Sequence, residues 1–425
     1  MALLLGCIAD DFTGGTDLAG MLVKAGMRTV LMIGVPTGPV PDGIDAIVIA
    51  LKSRTIAPEA AIAESLSALR WLRQEGSRQI YFKYCSTFDS TGKGNIGPVA
   101  EALMAALGTG FSIACPAFPA NGRTIYKGHL FVGDVLLSES GMRNHPLTPM
   151  TDANLVRVLQ QQIKGKAGLV DYAAVAKGAA AVRERFVALQ AEGCTLAVVD
   201  AVTDADLMSI GAPCADLALV TGGSGIALGL PQNFRRAGLL GDAGAADALP
   251  VSGGLRAVLS GSCSMATQGQ VAAMRTQHPA YHIDPFDLAR GNDVVGAALD
   301  WAANRIHAGP VLIYATASPA EVKIVQERLG AEKAGSLVED ALAAIARGLV
   351  RLDVGQLIVA GGETSGAVVK ALGVGGLRIG PEIDPGVPWT TAITAATIER
   401  PLALALKSGN FGTPDFFLKA WSKLS

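Results

Sequence analysis

The chain alternates between short runs of consecutive apolar residues and longer segments in which apolar residues recur every three or four positions. Such runs are typical of strands buried on both faces of a parallel sheet, and the spaced segments are typical of amphipathic helices. The pattern therefore predicts an α/β fold with mainly parallel sheets. The predicted strands include "LLLGCIA", "TVLMIGV", "AIVIA", "IYFKYC", "FSIACPA", "TLAVVD", "LALVTGG", "RAVLSGS", "VLIYATA", "QLIVAGG" and "LALALKSG".

A change in composition divides this pattern into two parts. Residues 240–254, "LGDAGAADALPVSGG", are small, rich in glycine and contain a proline, which is typical of a linker. We therefore expect two α/β domains, residues 1–240 and 250–425. Open α/β sheets bind ligands at the carboxyl ends of their strands, so we expect ligands in a cleft between the domains. The residues directly after each apolar run are the candidates for binding and catalysis.

Composition narrows the classes of function. The 425 residues are 50% hydrophobic and 17% charged, with a net charge of −2, so there is no basic surplus for wrapping nucleic acid. No apolar run approaches the ~18 residues of a membrane span, and the first residues lack the basic start of a signal peptide. Six scattered cysteines without a CxxC pair argue against a disulfide framework and a structural zinc site. We expect a cytoplasmic protein without a membrane or nucleic-acid partner and without a structural zinc site.

The first predicted strand ends at two adjacent carboxylates, in the stretch "ADDFTGG". Either Asp10 or Asp11 can cap the helix that follows. Capping needs only one of the two carboxylates. Because adjacent carboxylates repel each other, the second must have another role. We predict that the second carboxylate contacts a ligand, a metal or a substrate hydroxyl.

Basic residues follow two further strands of the first domain. Arg54, in "KSR", can hold a carboxylate with two parallel hydrogen bonds, although a solvated loop cation is the simpler interpretation. Lys83 lies inside an apolar run, and a buried cation needs a partner. Asp89 is either that partner, a ligand-binding group or a helix cap. The stretch "PANGRTIYKGH" contains three weaker candidates, Asn121, Arg123 and His129. In the alternative interpretation His129 is a structural or solvent-facing residue.

The second domain contains three Ser/Gly turns at the ends of predicted strands. A helix start with free backbone N–H groups and hydroxyls is a natural site for an anion such as a nucleotide phosphate. One such turn is weak evidence, since α/β folds need these turns in any case; three are stronger. The Walker motif and the GxSxG nucleophile elbow are absent, and no GxGxxG motif follows a predicted strand. The turns comprise Ser260, Gly261, Ser262 and Ser264; Gly361, Gly362, Glu363, Thr364 and Ser365; and Lys407, Ser408, Gly409 and Asn410.

Taken together and in this order, six stretches of the sequence resemble the four-carbon acid sugar kinase family over essentially the whole chain. They are "ADDFTGGTDLAG", "KSR", "KYCSTFDSTGKGNIG", "PAFPANGRT", "LSGSCS" and "GGETSG". Within the family, "KYCSTFDST" and "SGSCS" look closest to the 3-oxo-tetronate kinases. The threonate and erythronate kinases are near neighbours.

The resemblance implies that the N-terminal domain binds a sugar acid, that the C-terminal domain binds ATP, and that the product is the 4-phosphate. We expect Mg²⁺ to bridge the ATP phosphates and Asp11, or else Asp10, to act on the C4 hydroxyl. The matching substrate positions are Asp11, Arg54, Lys83, Tyr84, Cys85, Ser86 and Asp89. The matching ATP positions are Ser260, Ser262, Ser264, Gly361, Gly362, Glu363, Thr364, Gly409 and Asn410.

Two other classes of function remain open at the level of the sequence. An aldolase or dehydratase acting on the same acids would use the aspartate pair to hold a metal. A two-lobed sugar-acid binding protein would bind without catalysis. At the C-terminus, "TPDFFLKAWSKL" predicts an amphipathic helix that docks on its own domain or, in a homodimer, on a partner.

Overall fold

The chain divides into two compact units, Met1–Ala246 (unit 1) and Asp247–Ser425 (unit 2). The structure is a computed structural model that describes residues 3–38, 42–145, 147–241, 244, 246–394 and 400–424. The division between the units falls inside the predicted linker, of which residues 242, 243 and 245 lie outside the described residues. The expected α/β class is confirmed in both units.

Unit 1 alternates strands and helices as its apolar pattern predicts. Its strands are β1 (Leu5–Ala9), β2 (Thr29–Ile33), β3 (Ala46–Ala50), β4 (Gln79–Lys83), β5 (Ser112–Cys115), β6 (Arg123–Tyr126), β7 (His129–Val132), β8 (Val135–Leu136), β9 (Lys166–Val170), β10 (Cys194–Val199) and β11 (Leu219–Gly222). Its helices are α1 (Phe12–Lys24), α2 (Pro58–Gln74), α3 (Ile96–Leu107), α4 (Leu155–Gln162), α5 (Tyr172–Val175), α6 (Ala179–Ala191), α7 (Asp204–Gly211) and α8 (Pro231–Arg236).

The main sheet of unit 1 is parallel, with strand order β2-β3-β1-β4-β11-β5-β10-β9. Strands such as β1 are buried along their whole length, which explains their uninterrupted apolar sequence. The strand order reverses at β1, because β3 lies on one side of it and β4 on the other. The carboxyl ends of these three strands therefore meet at a topological switch point, where α/β sheets bind ligands.

A separate antiparallel sheet, β6-β7-β8, follows β5. Its first hairpin turns at Lys127, whose φ is +49°, and Gly128, whose φ is +74°. The carboxylate of the fully buried Asp200 accepts hydrogen bonds from both backbone N–H groups, at 2.6 Å and 2.8 Å. This carboxylate therefore stabilises the turn.

Unit 2 has the same alternation of strands and helices. Its strands are β12 (Leu255–Ser260), β13 (Ala280–His282), β14 (Val311–Tyr314), β15 (Val354–Ala360), β16 (Val374–Asp384), β17 (Val387–Thr394) and β18 (Ala403–Lys407). Its helices are α9 (Met265–Arg275), α10 (Pro285–Ala289), α11 (Val294–Ala303), α12 (Pro319–Leu329), α13 (Ala331–Arg351), α14 (Gly362–Ala371) and α15 (Phe416–Lys419).

The strands of unit 2 run in the order β13-β14-β12-β15-β18-β17-β16. The first five are parallel, and the order reverses at β12, which lies between β14 and β15. The carboxyl end of β12 is therefore the switch point of this unit. The antiparallel hairpin β16–β17 is a feature that the apolar runs do not predict.

The C-terminal helix docks on its own unit. Phe416, Phe417 and Trp421 are buried in one cluster with Trp389 of β17 and with residues of β12, β14 and β15. The indole N–H of Trp389 donates to the carbonyl of Ala420 at 2.8 Å. Burial of these four aromatic side chains fixes the end of the chain against the sheet.

Candidate functional site

The carboxyl ends of β1 and β3 are joined by an ion-pair cluster around Arg54. The guanidinium donates from Nε to Asp10 Oδ2 at 2.9 Å and from Nη2 to Asp10 Oδ1 at 2.9 Å. The same Nη2 donates to Asp11 Oδ1 at 2.7 Å, and Nη1 lies 3.6 Å from Asp89 Oδ2. One cation therefore holds three carboxylates, which its charge keeps compatible with one another.

This geometry corrects the expected role of Arg54. The edge of the guanidinium that would hold a substrate carboxylate through two parallel hydrogen bonds is already bound to Asp10. The partner in that fork is a carboxylate of the protein because the strand order brings β1 and β3 side by side. Arg54 is therefore first of all the group that orients Asp10 and Asp11.

Asp11 is both the helix cap and the more accessible carboxylate. Its backbone is extended, and its Oδ1 accepts from the N–H of Gly14 at 3.0 Å, so it caps α1. Its side chain is 29% exposed, against 7% for Asp10. Burial raises the pKa of Asp11 above its usual value, and the charge of Asp10 adds to this, while Arg54 and Lys83 oppose it. Asp11 is thus the carboxylate of the pair that a ligand can reach.

The glycine pair after the two aspartates has two separate functions. A Cβ on Gly14 would lie 2.4 Å from Asp11 Oδ1 and 2.7 Å from Lys83 Nζ, so only glycine fits at this corner of the site. A Cβ on Gly15 would lie 2.9 Å from the side chain of Leu31, because α1 packs closely on the sheet. One glycine makes room for the charged groups, and the other brings the helix against the strands.

Lys83 ends β4 with its side chain only 3% exposed. Its ammonium group donates to the carbonyl of Tyr84 at 2.8 Å, and its charge acts on Asp11. An ammonium has three N–H donors, and this is its one hydrogen bond within the described part of the chain. Lys83 is therefore a buried cation with donors left for an anionic ligand.

Asp89 is held in an unusual backbone conformation beside Arg54. Phe88 and Asp89 have φ values of +65° and +31°, which residues other than glycine rarely adopt. The hydroxyl of Thr87 donates to Asp89 Oδ1 at 2.6 Å, and the ring of Phe88 packs edge-on against Tyr84. Such conformations concentrate at functional sites, which agrees with the predicted involvement of this loop.

The three residues between Lys83 and Thr87 differ in what they can contribute. The side chain of Tyr84 is fully buried, and its hydroxyl pairs with Thr221 Oγ1 at 3.0 Å, so its phenol belongs to the core. Cys85 is half-buried, with its sulfur 2.9 Å from Thr87 Oγ1, and burial raises the pKa of its thiol. Ser86 is half-buried. Among these, the side chain of Tyr84 is unavailable to a ligand, contrary to its predicted place in the substrate site.

Asn95 supports the site and was missed by the sequence analysis. Its buried side-chain amide donates to the carbonyls of Ser53, Arg54 and Ile56 at 2.9, 3.2 and 2.9 Å. These bonds fix the loop that carries Arg54. A buried asparagine just before a helix can be read as a cap, so nothing in the sequence separates the two roles.

A cavity of about 570 Å³ lies at the switch point of unit 2. One end is formed around α10, α12 and α13 and is mainly apolar, with Pro285, Phe286, Val322, Val325 and Val338 in its lining. The other end is formed by the turns after β12 and β15. Its volume and its division into apolar and polar ends are typical of a small-ligand pocket. The turn residues that line it are Gly261, Ser262, Cys263, Gly361, Gly362, Glu363 and Thr364.

Not every predicted nucleotide residue lines this cavity. The hydroxyl of Ser260 is fully buried and pairs with Thr316 Oγ1 of the neighbouring strand end at 2.7 Å, so its side chain faces the sheet. Ser264 caps α9 and donates to the carbonyl of Gly409 at 2.5 Å. Gly409 packs against Ser262, since a Cβ there would lie 2.5 Å from Ser262 Oγ. Asn410 is exposed on the same turn.

The backbone explains why glycine stands at two of these turns. Gly361 has a φ of +128°, which only glycine adopts without strain. A Cβ on Gly261 would lie 2.3 Å from Thr364 Oγ1, so the turns after β12 and β15 touch through this glycine and this threonine. α14 begins directly after Gly361 and presents its first N–H groups at the polar end of the cavity.

The weaker candidates of unit 1 lie elsewhere. His129 Nδ1 lies 2.9 Å from the carbonyl of Lys127 and its Nε2 lies 3.4 Å from the amide of Asn154, within the antiparallel sheet. The guanidinium of Arg123 bonds to the carbonyl of Asn121. Neither contacts the Arg54 cluster. Within the described ranges, no group of three or more His, Cys, Asp and Glu side chains could hold a metal ion, and no helix is long and apolar enough to cross a membrane.

Two family models match most of the chain. Residues 5–230 match a sugar-binding N-terminal domain, and residues 257–417 match a nucleotide-binding C-terminal domain. The first match contains the Arg54 cluster, and the second contains the cavity of unit 2.

Curated proteins and a solved structure match over nearly the full length. The chain is 63% identical to a 3-oxo-tetronate kinase of Cupriavidus necator, covering 99% of this chain and 97% of that protein. It is 62% identical to a 3-oxo-tetronate kinase of Burkholderia multivorans, covering 98% and 96%. A crystal structure of a Haemophilus influenzae protein is similar with a TM-score of 0.89 and 46% identity, covering 99% of this chain and all of that one.

Proposed function

We propose that this chain, which belongs to the four-carbon acid sugar kinase family, transfers the γ-phosphoryl group of ATP to the C4 hydroxyl of 3-oxo-tetronate. One observation carries the choice of substrate: relatives that are more than 60% identical over nearly the whole chain are 3-oxo-tetronate kinases. Threonate and erythronate kinases share the family and are the alternative.

We assign the sugar acid to unit 1 and the nucleotide to unit 2. The family models that match the two parts support this assignment, and so does the chemistry of the two sites. The cluster around Arg54 offers carboxylate oxygens to hydroxyl groups and a buried ammonium to an acid group. The cavity of unit 2 offers an apolar end for a purine and glycine turns for phosphates.

In the proposed reaction Asp11 accepts a hydrogen bond from the C4 hydroxyl and takes its proton as the oxygen attacks the γ-phosphorus. Phosphoryl transfer depends mainly on positioning and on neutralisation of charge, so the base needs to be well placed and ionised. Arg54 meets the first requirement by fixing the carboxylate through a 2.7 Å hydrogen bond. Lys83, which retains free donors, binds the C1 carboxylate.

The glycine turns and the first N–H groups of α14 hold the phosphates in this proposal. Because these donors are fixed before the ligand arrives, they neutralise charge without reorganisation. Ser262 and Thr364 line the same end of the cavity and add hydroxyl donors.

We propose that Mg²⁺ enters as the MgATP complex, held by phosphate oxygens and supplying the charge that the transferring group needs. The described residues contain no cluster that could hold a metal alone. Chelation by EDTA should therefore abolish turnover, while the melting temperature of the unliganded protein stays unchanged. Parallel activity and differential scanning fluorimetry measurements check this, and a drop in melting temperature would instead indicate a structural metal.

A cytoplasmic location follows from the need for ATP. All six cysteines are free thiols, which is usual in a reducing compartment.

The substrate assignment is tested with purified enzyme, MgATP and a panel of four-carbon acids, scored by ADP release. 3-Oxo-tetronate should give the highest kcat/KM, and D-threonate and D-erythronate should be much poorer. A preference for either hydroxy acid would replace the proposed substrate by the alternative. ADP release that no acid stimulates would reject the kinase.

A further inference from the structure

Lys407 is a fully buried lysine at the end of β18, beside the cavity turns of unit 2. Its ammonium group donates three hydrogen bonds, each of 3.0 Å, to Thr267 Oγ1 and to the carbonyls of Ser408 and Gly409. All three acceptors are neutral. All three N–H donors of the ammonium group therefore have acceptors, but none of these acceptors neutralises its positive charge.

No carboxylate of the described residues lies within ion-pair distance of Lys407. By contrast, Lys419 of the same unit pairs with Asp384 at 2.6 Å, although it is far more exposed. A buried charge without a partner is costly, and burial lowers the pKa of Lys407 to about 8. A smaller apolar side chain at this position would avoid the free-energy cost of burying the charge.

The position of Lys407 indicates what compensates its charge. Its carbonyl accepts from the N–H of Gly361 at 2.8 Å, so its backbone is tied to the turn after β15. Its ammonium lies behind the Gly409 turn, whose carbonyl also accepts from Ser264 and Thr267. Gly409 in turn packs against Ser262 of the cavity. One side chain therefore joins the turns at the polar end of the cavity.

We propose that Lys407 is a positioning residue for the phosphates of the nucleotide, acting through the Gly409 turn and through a charge that the bound polyphosphate compensates. The inference rests on the proposed function, since it takes the ligand of this cavity to be ATP. It assigns to Lys407 a role in the affinity for the phosphates, and none in the affinity for the nucleoside.

The test compares ADP with adenosine on the full-length protein by calorimetry. Lys407→Met should lower the affinity for ADP by about 10-fold or more, the effect of losing one charge-assisted interaction, and leave the affinity for adenosine unchanged. Lys407→Arg should keep most of the ADP affinity. Lys419→Met is the matched control and should leave both affinities unchanged. Equal losses for ADP and adenosine in Lys407→Met would show a purely structural role and overturn the proposal.

A second measurement needs only folded wild-type protein and Lys407→Arg. Phosphate binding favours the charged lysine, so the affinity of the wild type for ADP should be full below pH 8 and fall as the pH rises through about 8. Arginine stays charged, so the variant should show no such fall. The comparison with Lys407→Arg separates the titration of Lys407 from that of the other groups that line the cavity, which are Cys263, His282, Asp284, Glu321, Glu339 and Glu363. The same pH profile in both proteins would overturn the proposal.

The two ways of failing can be told apart. If the wild type binds neither ADP nor ATP, the proposed function fails. If the wild type binds ADP and the Lys407 variants have the same ratio of ADP affinity to adenosine affinity as the wild type, the proposed function stands and the proposed role of Lys407 fails.

Discussion

Replacing Asp11 by asparagine should lower kcat about 100-fold or more, the lower end of what a general base contributes. Asparagine caps helices as well as aspartate does, so the hydrogen bond to the N–H of Gly14 and the fold of α1 should survive. What is lost is the proton acceptor. The KM for the sugar acid should change much less than kcat, because asparagine can still hydrogen-bond the hydroxyl.

The pH profile gives a second signature of Asp11. A base must be ionised, and burial raises the pKa of this carboxyl above its usual value. The activity of the wild type should therefore fall as the pH is lowered through that raised pKa. The matched control is Asp171→Asn, which alters the cap of α5 in the same unit and should leave kcat unchanged. A near-normal kcat in Asp11→Asn would remove Asp11 from the chemistry.

Replacing Arg54 by methionine should destabilise the protein by about 3–5 kcal/mol, the usual cost of removing one partner of a buried ion pair. Three carboxylates would be left together, two of them largely buried. Loss of the guanidinium charge, which lowers the pKa of Asp11, would raise that pKa further above its value in the unfolded chain. The folded variant would bind more protons than the unfolded one, so its stability should fall as the pH rises and recover as the pH is lowered from 7 to 5.

Chemical denaturation at both pH values measures this effect. Arg157→Met is the matched control, because Arg157 forms the same fork with Asp152 at 2.9 and 2.7 Å but lies on the surface. That variant should keep a denaturation midpoint close to that of the wild type. Arg54→Lys should keep part of the stability that Arg54→Met loses, because lysine retains the positive charge but cannot form two parallel hydrogen bonds. A wild-type midpoint in Arg54→Met would contradict the proposed role of Arg54.

The pattern of apolar runs predicts most of the strands that position the candidate site. Uninterrupted apolar runs predicted the strands of both units, and the polar residues after them marked Asp10, Arg54 and Lys83. These residues converge because β3 and β4 flank β1, a neighbour relation that a list of strands does not contain. Parallel strands and their carboxyl ends are predictable from sequence, whereas their order depends on packing of distant segments.

The side-chain pairings were less predictable. Arg54 binds Asp10 across 44 positions of the chain, and Asn95 bonds to carbonyls about 40 positions away. Such contacts are set by tertiary structure and carry no local signal. The missed hairpin β16–β17 is different, because Pro385 and Gly386 form a turn with a φ of +79° at the glycine. A Pro-Gly pair between two strands is a hairpin signal that could have been read.

Family membership decides between the classes of function that the sequence left open. An aldolase or dehydratase would need the aspartate pair free for a metal, but both carboxylates are bound to Arg54. A binding protein without catalysis would need no nucleotide site, and residues 257–417 match a nucleotide-binding domain. The remaining question is where the phosphoryl group goes.

The position of the new phosphate ester tests the proposed reaction most directly. In 3-oxo-tetronate the C4 hydroxyl is on a CH₂ group and the C2 hydroxyl is on a CH group. Proton-coupled ³¹P NMR of the reaction mixture with MgATP should therefore show one new phosphomonoester split into a triplet by two protons. A doublet would place the phosphate on C2, and growth of inorganic phosphate alone would show hydrolysis of ATP; either result would contradict transfer to C4.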